Sequence, residues 1–354
     1  MSADDRLTDR ILGSLLLAGM GDALGAQTEQ WSIDEIAAAH GGLVTRFGVP
    51  PPDTFAGANG GRSGEVTDDA SQLYYLARAL IAGNGTLDNA GWVRCLLDWA
   101  ATSPKAGFMG PSTASIVQAL REGRSVARFG VIGESLRKMT TMGNTNGAAM
   151  RAAPCGLVHP GDIEAACEQA FITCMPSHDT DVAVASACCI AGGAAAALVS
   201  DDVDAVVRAC IESAAFGECI GRERVRAIAG PSLSTRLRMA LEIAAASAAD
   251  RDFLVAIEAA VGNSVLAAES VPAAIGVLAY AKGDPLRTIS LCASIGNDTD
   301  SIATMAGALA GALHGAKRLP VDLLAEFRSV NEAEYGIEAM AAGLTAAAVS
   351  NRRR

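Results

Sequence analysis

The sequence has few aromatic residues, few histidines and almost no strand-like alternation. Phe, Trp and Tyr make up 4% of the 354 residues, and four residues are His. Sandwiches and barrels of β-strands are normally rich in aromatic and β-branched residues. The segment 41–49, GGLVTRFGV, shows a weak alternation and is the one strand candidate. The sequence therefore predicts an all-α fold.

Basic clusters are also absent before the final residues, NRRR. The formal net charge is −11, from 28 Lys and Arg against 39 Asp and Glu. Proteins that bind nucleic acids normally present a concentrated basic face, so no nucleic-acid partner is predicted. An acidic chain can still bind a small phosphate-bearing ligand locally, particularly through divalent cations.

Paired cysteines, a leader segment and membrane spans are missing as well. The nine cysteines include no CxxC pair, which is typical of reduced thiols that serve as small apolar side chains. The first residues lack the layout of a signal peptide. The apolar run 302–316 is too short for a bilayer, and 181–200 is too rich in Ala. A cytoplasmic protein without a membrane partner is expected.

Helical periodicity and small residues dominate what is present. The segment DRLTDRILGSLLLAGMGDALG places Leu7, Ile11 and Leu15 on one face, and Gly19 and Gly21 are expected to end that helix. Abundant Ala and Gly let helices approach closely, as in a compact bundle.

No low-complexity linker or fixed-period repeat divides the chain. We therefore predict one domain over 1–354, with frayed ends at 1–5 and 348–354.

Two apolar helices are predicted to begin with clusters of oxygen-bearing side chains. One is SIGNDTDSIATMAGALAGALHG (294–315), and the other is VTDDASQ (66–72). Each motif alone is typical of a capped helix start. The residues concerned are Thr67, Asp68, Asp69, Asp298, Asp300 and Ser301.

Taken together, the two clusters favour a metal site. Four carboxylates and two hydroxyls are hard ligands that suit Mg²⁺ or Mn²⁺ better than Zn²⁺. Unpaired, the carboxylates would repel one another, whereas two divalent cations would neutralise them. Glycines 307, 311 and 315, spaced four apart, would let the second helix pack tightly and hold its acidic end rigid.

Two further loops carry polar residues, and their functions stay open on this evidence. MGNTNGAAMRAAP (142–154) could bind phosphate or ribose through Asn144, Asn146 and the amides near Gly147, or could be an ordinary turn. PSHDTD places His178 before a Cys-rich helix, where a lone His is more often structural. GMGDALG has the wrong glycine spacing and no preceding strand for a dinucleotide-binding fingerprint.

These motifs occur in the order GDALGAQTE, TDD, NGAAMRAAP, SH and GNDTDSIATMAGALAGALHG. The ordered set, which spans most of the chain, resembles the ADP-ribosylglycohydrolase family. The resemblance implies a compact, orthogonal multi-helix bundle with two Mg²⁺ ions, or Mn²⁺ in some members. The implied metal ligands are Thr67, Asp68, Asp69, Asp298, Asp300 and Ser301. The implied catalytic residues are Glu29, Asp69 and Asp300, and the implied substrate-binding residues are Asn144, Asn146, Gly147, Ala148, Met150 and His178.

The resemblance implies hydrolysis of an N- or O-glycosidic bond between ADP-ribose and an acceptor, most commonly a protein side chain. The chain departs from the family pattern at Ala70, where TDDT reads TDDA, and at Thr145, where GNGxAMR has Gly. These departures and the Gly-rich insert 55–64 leave two alternatives open. One is a ribosidase that acts on a free nucleoside-like molecule, and the other is a protein that binds ADP-ribose without hydrolysis. The oligomeric state is not predicted.

Overall fold

The computed structural model describes residues 3–124, 131, 139 and 142–352. Within these ranges there are seventeen α-helices and no β-strand, which confirms the predicted all-α fold. None of the helices in the described ranges combines the length and apolarity that a membrane span requires. The helices are α1 (Ala3–Gly25), α2 (Ile33–His40), α3 (Phe55–Ala58), α4 (Asp68–Ala82), α5 (Asn89–Thr102), α6 (Pro111–Arg121), α7 (Ala153–Leu157), α8 (Ile163–Cys174), α9 (Asp181–Ala197), α10 (Val203–Arg224), α11 (Leu233–Ala246), α12 (Asp250–Ala260), α13 (Ala267–Tyr280), α14 (Pro285–Cys292), α15 (Thr299–His314), α16 (Val321–Tyr335) and α17 (Ile337–Asn351).

Helices α1 and α15 form an antiparallel pair at the centre of the core. Every residue of α15 from Thr299 to Leu313 is buried. A Cβ added to Gly311 would lie 2.1 Å from the carbonyl oxygen of Gly13, and one added to Gly21 would lie 2.4 Å from that of Ala303. Small residues on both helices thus allow direct backbone contact, as the glycine spacing of α15 predicts.

Three sequence expectations differ from the structure. Helix α1 does not end at Gly19 and Gly21 but continues to Gly25. Both glycines lie directly against neighbouring groups that leave no room for a side chain. This close packing stabilises the helix and outweighs the low helix propensity of glycine. The strand candidate 41–49 is irregular, and its Val44 N–H donates to the side chain of Ser294 at 2.9 Å.

The third difference concerns the described part of the chain ends, where residues 3–5 belong to α1 and α17 continues past 348 to Asn351. Residues 1–2 and 353–354 of the predicted frayed ends lie outside the described residues. The Asn351 side chain donates hydrogen bonds to the carbonyl oxygens of Gly85 and Val158, at 3.2 and 3.0 Å. These bonds fasten the last turn of α17 to the rest of the molecule.

The close contact between α1 and α15 should make the stability of the protein sensitive to an added side chain. Gly311→Ala should lower the Tm, because the added methyl group would meet the Gly13 backbone, which cannot rotate away. Overpacking of this kind costs about 1–3 kcal/mol. Gly107→Ala is the control, since no heavy atom lies within 4 Å of its added Cβ. Thermal unfolding followed by circular dichroism should separate the two variants, and equal Tm values would contradict the packing described.

Backbone hydrogen bonds bring distant loops together at one end of the bundle. The segment after α1 pairs with the segment before α15, through Gln30 N–H to Asn297 C=O at 2.7 Å and Asn297 N–H to Trp31 C=O at 2.9 Å. The loop before α7 pairs with that before α13, where Asn146 N–H donates to Val265 C=O at 2.9 Å. This end of the bundle carries the polar motifs.

Candidate active site

An open cleft lies where the N-terminal ends of α4, α6 and α15 meet. Five acidic residues and one serine, called the acidic floor below, line one side of this cleft. They come from the segment that follows α1 and from the two oxygen-rich motifs, and they are Glu29, Asp68, Asp69, Asp298, Asp300 and Ser301. The structure therefore brings together acidic residues that are about 230 positions apart in the chain.

Thr67 and Asp22 lie directly behind the acidic floor. Thr67 is the N-cap of α4, as predicted, and its hydroxyl donates to Asp22 Oδ1 at 2.7 Å. The other oxygen of Asp22 accepts from the backbone N–H groups of Thr67 and Ala70, each at 2.9 Å. Asp22 thus attaches the start of α4 to α1. Sequence reasoning missed this role, although an Asp inside an apolar, glycine-rich helix is a signal that could have been followed.

The predicted substrate-binding residues divide into two groups. Asn146, Gly147, Met150 and His178 line the cleft, whereas Asn144 and Ala148 are not among the lining residues. Asn146 donates to Ser270 Oγ at 2.9 Å and also to Asp298 Oδ2. The loop is therefore bonded directly to the acidic floor.

His178 is completely buried beside Gly147. A Cβ added to Gly147 would lie 2.8 Å from Nε2 of His178, so the absence of a side chain lets the imidazole approach the loop. Burial, followed by the charge of Arg151, lowers the pKa of His178 well below its ordinary value. The imidazole is consequently neutral near pH 7.

An aromatic wall stands beside Glu29 and was not predicted. Phe55 and Phe108 line the cleft, and their rings meet edge to face with centroids 6.1 Å apart. With Ala26 and Ala56 they form a small apolar cluster separate from the main core. The Gly-rich insert 55–64 gives little sign of this wall, because the partner ring comes from a distant segment.

The carboxyl groups of the acidic floor and of Asp22 behind it have raised pKa values. Burial, reinforced by repulsion from Asp300, raises the pKa of Asp22 to about 7, of Asp298 to about 8 and of Glu29 to about 10. The same two causes raise the pKa values of Asp68 and Asp69 well above their ordinary value. Burial raises the pKa of Asp300 to about 6. Six acidic groups in one region thus disfavour their own ionisation.

The donor set fits a hard divalent cation. Glu29 Oε2 and Asp69 Oδ1 are buried, and neither has a hydrogen-bond partner among the described residues. Carboxylate and hydroxyl oxygens are the ligands that Mg²⁺ and Mn²⁺ prefer. As the side chains stand, no three His, Cys, Asp or Glu residues in the described ranges already surround a common point. A cation at this floor would therefore be held by fewer than three of these carboxylates together with hydroxyl groups and water, or after some side chains rotate.

Comparisons with known proteins identify the family. The sequence model of the family described as ADP-ribosylglycohydrolase matches residues 3–353. An uncharacterized protein of Escherichia coli, YegU, is 33% identical over 331 residues, which cover 93% of this chain and 94% of YegU. The chicken protein named ADP-ribosylhydrolase ARH3 is 27% identical over 265 residues, which cover 72% of this chain and 57% of that protein.

The fold is also found among solved structures. A chain of an "ADP-ribosylglycohydrolase-related protein complex" superposes with a TM-score of 0.67 at 22% identity, and the match covers 97% of this chain and 99% of that one. At this identity the likeness concerns the fold alone. With the family match over almost the whole sequence, the protein belongs to the ADP-ribosylglycohydrolase family and is a hydrolase of glycosidic bonds.

Proposed function

We propose that this protein is a divalent-cation-dependent hydrolase that cleaves the bond between ADP-ribose, or a related riboside, and its acceptor. One observation carries the proposal. Five carboxyl groups line one cleft with a sixth, that of Asp22, directly behind them, and two oxygens of the five have no hydrogen-bond partner among the described residues. Such an arrangement is costly unless cations occupy it.

The ions would be held by the helix starts of α4 and α15. We propose two Mg²⁺ ions, with Mn²⁺ as the alternative, bound by Thr67, Asp68, Asp69, Asp298, Asp300 and Ser301. Bound ions of this kind lower the pKa of a water molecule and orient it beside the substrate.

The chain's own carboxylates supply the proton chemistry. Glu29 lines the cleft with one oxygen unpartnered, and burial and repulsion from Asp300 raise its pKa to about 10 in the metal-free protein. In the protonated form it can give a proton to the leaving group, and in the ionised form it can accept one from water. Asp69 and Asp300 add negative charge near the positive charge that develops on the ribose ring.

The other wall would hold the substrate. Asn146, Gly147, Met150 and His178 lie on one side of the cleft, and Asn146 is bonded to Asp298 of the floor. A sugar bound to this loop would therefore lie directly beside the carboxylates. We propose that these residues bind the ribose and phosphate groups of ADP-ribose.

The aromatic wall favours a second candidate. Phe55 and Phe108 line the same cleft as Glu29, and aromatic side chains suit a flat, apolar leaving group. A free nucleoside-like riboside has a leaving group of this kind. This alternative uses the same carboxylates and differs only in the acceptor.

The free cysteines support a cytoplasmic location, which we also propose. All nine cysteines are unpaired, as is usual in a reducing compartment.

A substrate panel tests the proposal. The protein is incubated with ADP-ribosylated peptides and with free ribosides, with Mg²⁺, with Mn²⁺ and with a chelator. We expect release of ADP-ribose that requires the cation, measured by chromatography. Cleavage of free ribosides alone would favour the second candidate. Tight ADP-ribose binding without product would identify a non-hydrolysing protein, and undiminished turnover in chelator would refute cation dependence.

A further inference from the structure

Arg151 is a completely buried cation with an unusual set of partners. One terminal nitrogen donates to Gln72 Oε1 at 2.8 Å, and the other donates to Thr173 C=O at 3.3 Å and Ser177 Oγ at 3.4 Å. Its guanidinium lies 4.6 Å from the centre of the Trp92 ring. Buried charges are usually paired directly with an opposite charge. Here every hydrogen-bond acceptor found in the described residues is neutral.

The bond to Gln72 sets the direction of an amide that reaches the acidic floor. A guanidinium can only donate hydrogen bonds, so the oxygen of the Gln72 side chain must face Arg151. The amide nitrogen then faces Asp68 and donates to its Oδ2 at 3.0 Å. Arg151 thereby determines that Asp68 receives a hydrogen bond, which favours its charged form and holds one carboxylate oxygen in place.

A second branch runs from Arg151 to the opposite wall. Ser177 Oγ accepts from Arg151 and keeps one hydrogen to donate, and His178 Nδ1 lies 2.7 Å away. If Ser177 donates to Nδ1, His178 carries its hydrogen on Nε2 and donates to Thr145 Oγ1, which lies 3.1 Å away. Thr145 lines the cleft, and in this arrangement its hydroxyl hydrogen is available to an acceptor atom of a molecule in the cleft.

We propose that Arg151 is a positioning residue that fixes the hydrogen-bond directions on both sides of the cleft. Through Gln72 it orients Asp68 for cation binding, and through Ser177 and His178 it makes Thr145 a donor to an oxygen atom of the substrate. The inference rests on the proposed function, because it assigns Asp68 to a cation. It adds that the hydrogen bonds at that site have fixed directions. A substrate would then place an acceptor oxygen, such as that of a phosphate or a sugar, opposite Thr145.

Gln72→Met tests the first branch, because Met has a similar length but no hydrogen-bonding group. The full chain, freed of metal, is titrated with Mn²⁺ and with Mg²⁺ by calorimetry without substrate. Losing a partner of a metal ligand typically weakens metal binding by about 10- to 100-fold, and we expect a loss in this range. Affinity within twofold of the parent protein would overturn the first branch.

Gln169→Met provides a matched control. Gln169 is also buried, and it exchanges two hydrogen bonds with the backbone of Leu87, at 3.0 and 2.9 Å, away from the cleft. This change should lower the Tm as Gln72→Met does, without weakening cation binding. Equal losses of affinity in both variants would show a structural effect and overturn the proposal.

The second branch has a readout that needs no cation. Nitrogen NMR of histidine-labelled protein, assigned with a His178→Gln variant, distinguishes the two neutral forms of the imidazole. We expect His178 to carry its hydrogen on Nε2, and a hydrogen on Nδ1 would overturn this branch. The parent protein could bind neither cation while His178 has the expected form. The metal centre of the proposed function would then be refuted together with the Asp68 branch, but the Thr145 branch would stand.

Discussion

Asp300→Asn is expected to abolish measurable turnover while leaving the protein folded. Asp300 lines the cleft and is among the leading sources of repulsion at Asp22, Glu29, Asp68, Asp69 and Asp298. An amide lacks the charge that holds a divalent cation. The loss should exceed the roughly 10- to 100-fold that follows when only a partner of a metal ligand is removed. Steady-state kinetics with the best substrate of the panel measures it.

The fold should survive this substitution for two reasons. Asp300 Oδ1 accepts the N–H of Ser301 at 2.9 Å, and the Asn side chain keeps an oxygen that can accept the same bond. The substitution also removes a buried charge. Without cations the variant should therefore unfold at a temperature equal to or above that of the parent.

Asp181→Asn is the matched control for Asp300→Asn. Asp181 also stands in the first turn of a helix, and its Oδ1 accepts the N–H of the next residue, Val182, at 3.0 Å. It does not line the cleft. Its substitution should leave turnover unchanged within about twofold. Turnover of Asp300→Asn equal to that of Asp181→Asn would remove the carboxylate floor from the mechanism.

The part of this site that could be predicted from the sequence is the part encoded locally. Thr67 precedes two acids and an apolar helix, and the structure shows it as the N-cap of α4. The glycines of α15 indicate a close helix contact, and Gly311 meets the Gly13 backbone. Helical period, caps and small-residue spacing depend on neighbouring positions, so a single sequence contains them.

The part that could not be predicted depends on how distant faces pack. Asp22 belongs to the site because α1 crosses the start of α4, and Phe108 meets Phe55 only after two separate loops fold together. The same holds for Arg151, whose hydrogen-bond partners come from α4, α8 and the loop that precedes α9. No local pattern marks these contacts. The continuation of α1 through Gly19 and Gly21 has the same origin, since packing outweighs the low helix propensity of glycine.

The raised pKa values of the acidic floor also make stability depend on pH. A carboxyl group whose pKa is higher in the folded than in the unfolded protein keeps its proton when folded after the unfolded chain has lost it. Its contribution to stability is complete below the unfolded value, near 4, and disappears as the pH rises through the folded value. For Asp22, Asp298 and Glu29 the folded values are about 7, 8 and 10. The lowered pKa of His178 acts in the opposite direction, but only below its ordinary value of about 6.5.

We therefore expect the metal-free protein to lose stability from about pH 6.5, where the opposing contribution of His178 ends, up to about pH 10, with a slope that becomes shallower as the pH passes the folded pKa values of Asp22 and then of Asp298. Each proton retained by the folded state contributes a slope of about 1.4 kcal/mol per pH unit. Denaturant unfolding at several pH values measures this slope.

Glu29→Gln should reduce the slope, because Glu29 stays protonated in the folded protein across most of this pH range and Gln cannot ionise. Saturating Mg²⁺ or Mn²⁺ should raise the stability most at the alkaline end, since the proposed ions would bind the ionised carboxylates of the folded state. A flat profile without metal, or a cation effect independent of pH, would show that these carboxyl groups do not retain their protons in the folded protein and would contradict the raised pKa values.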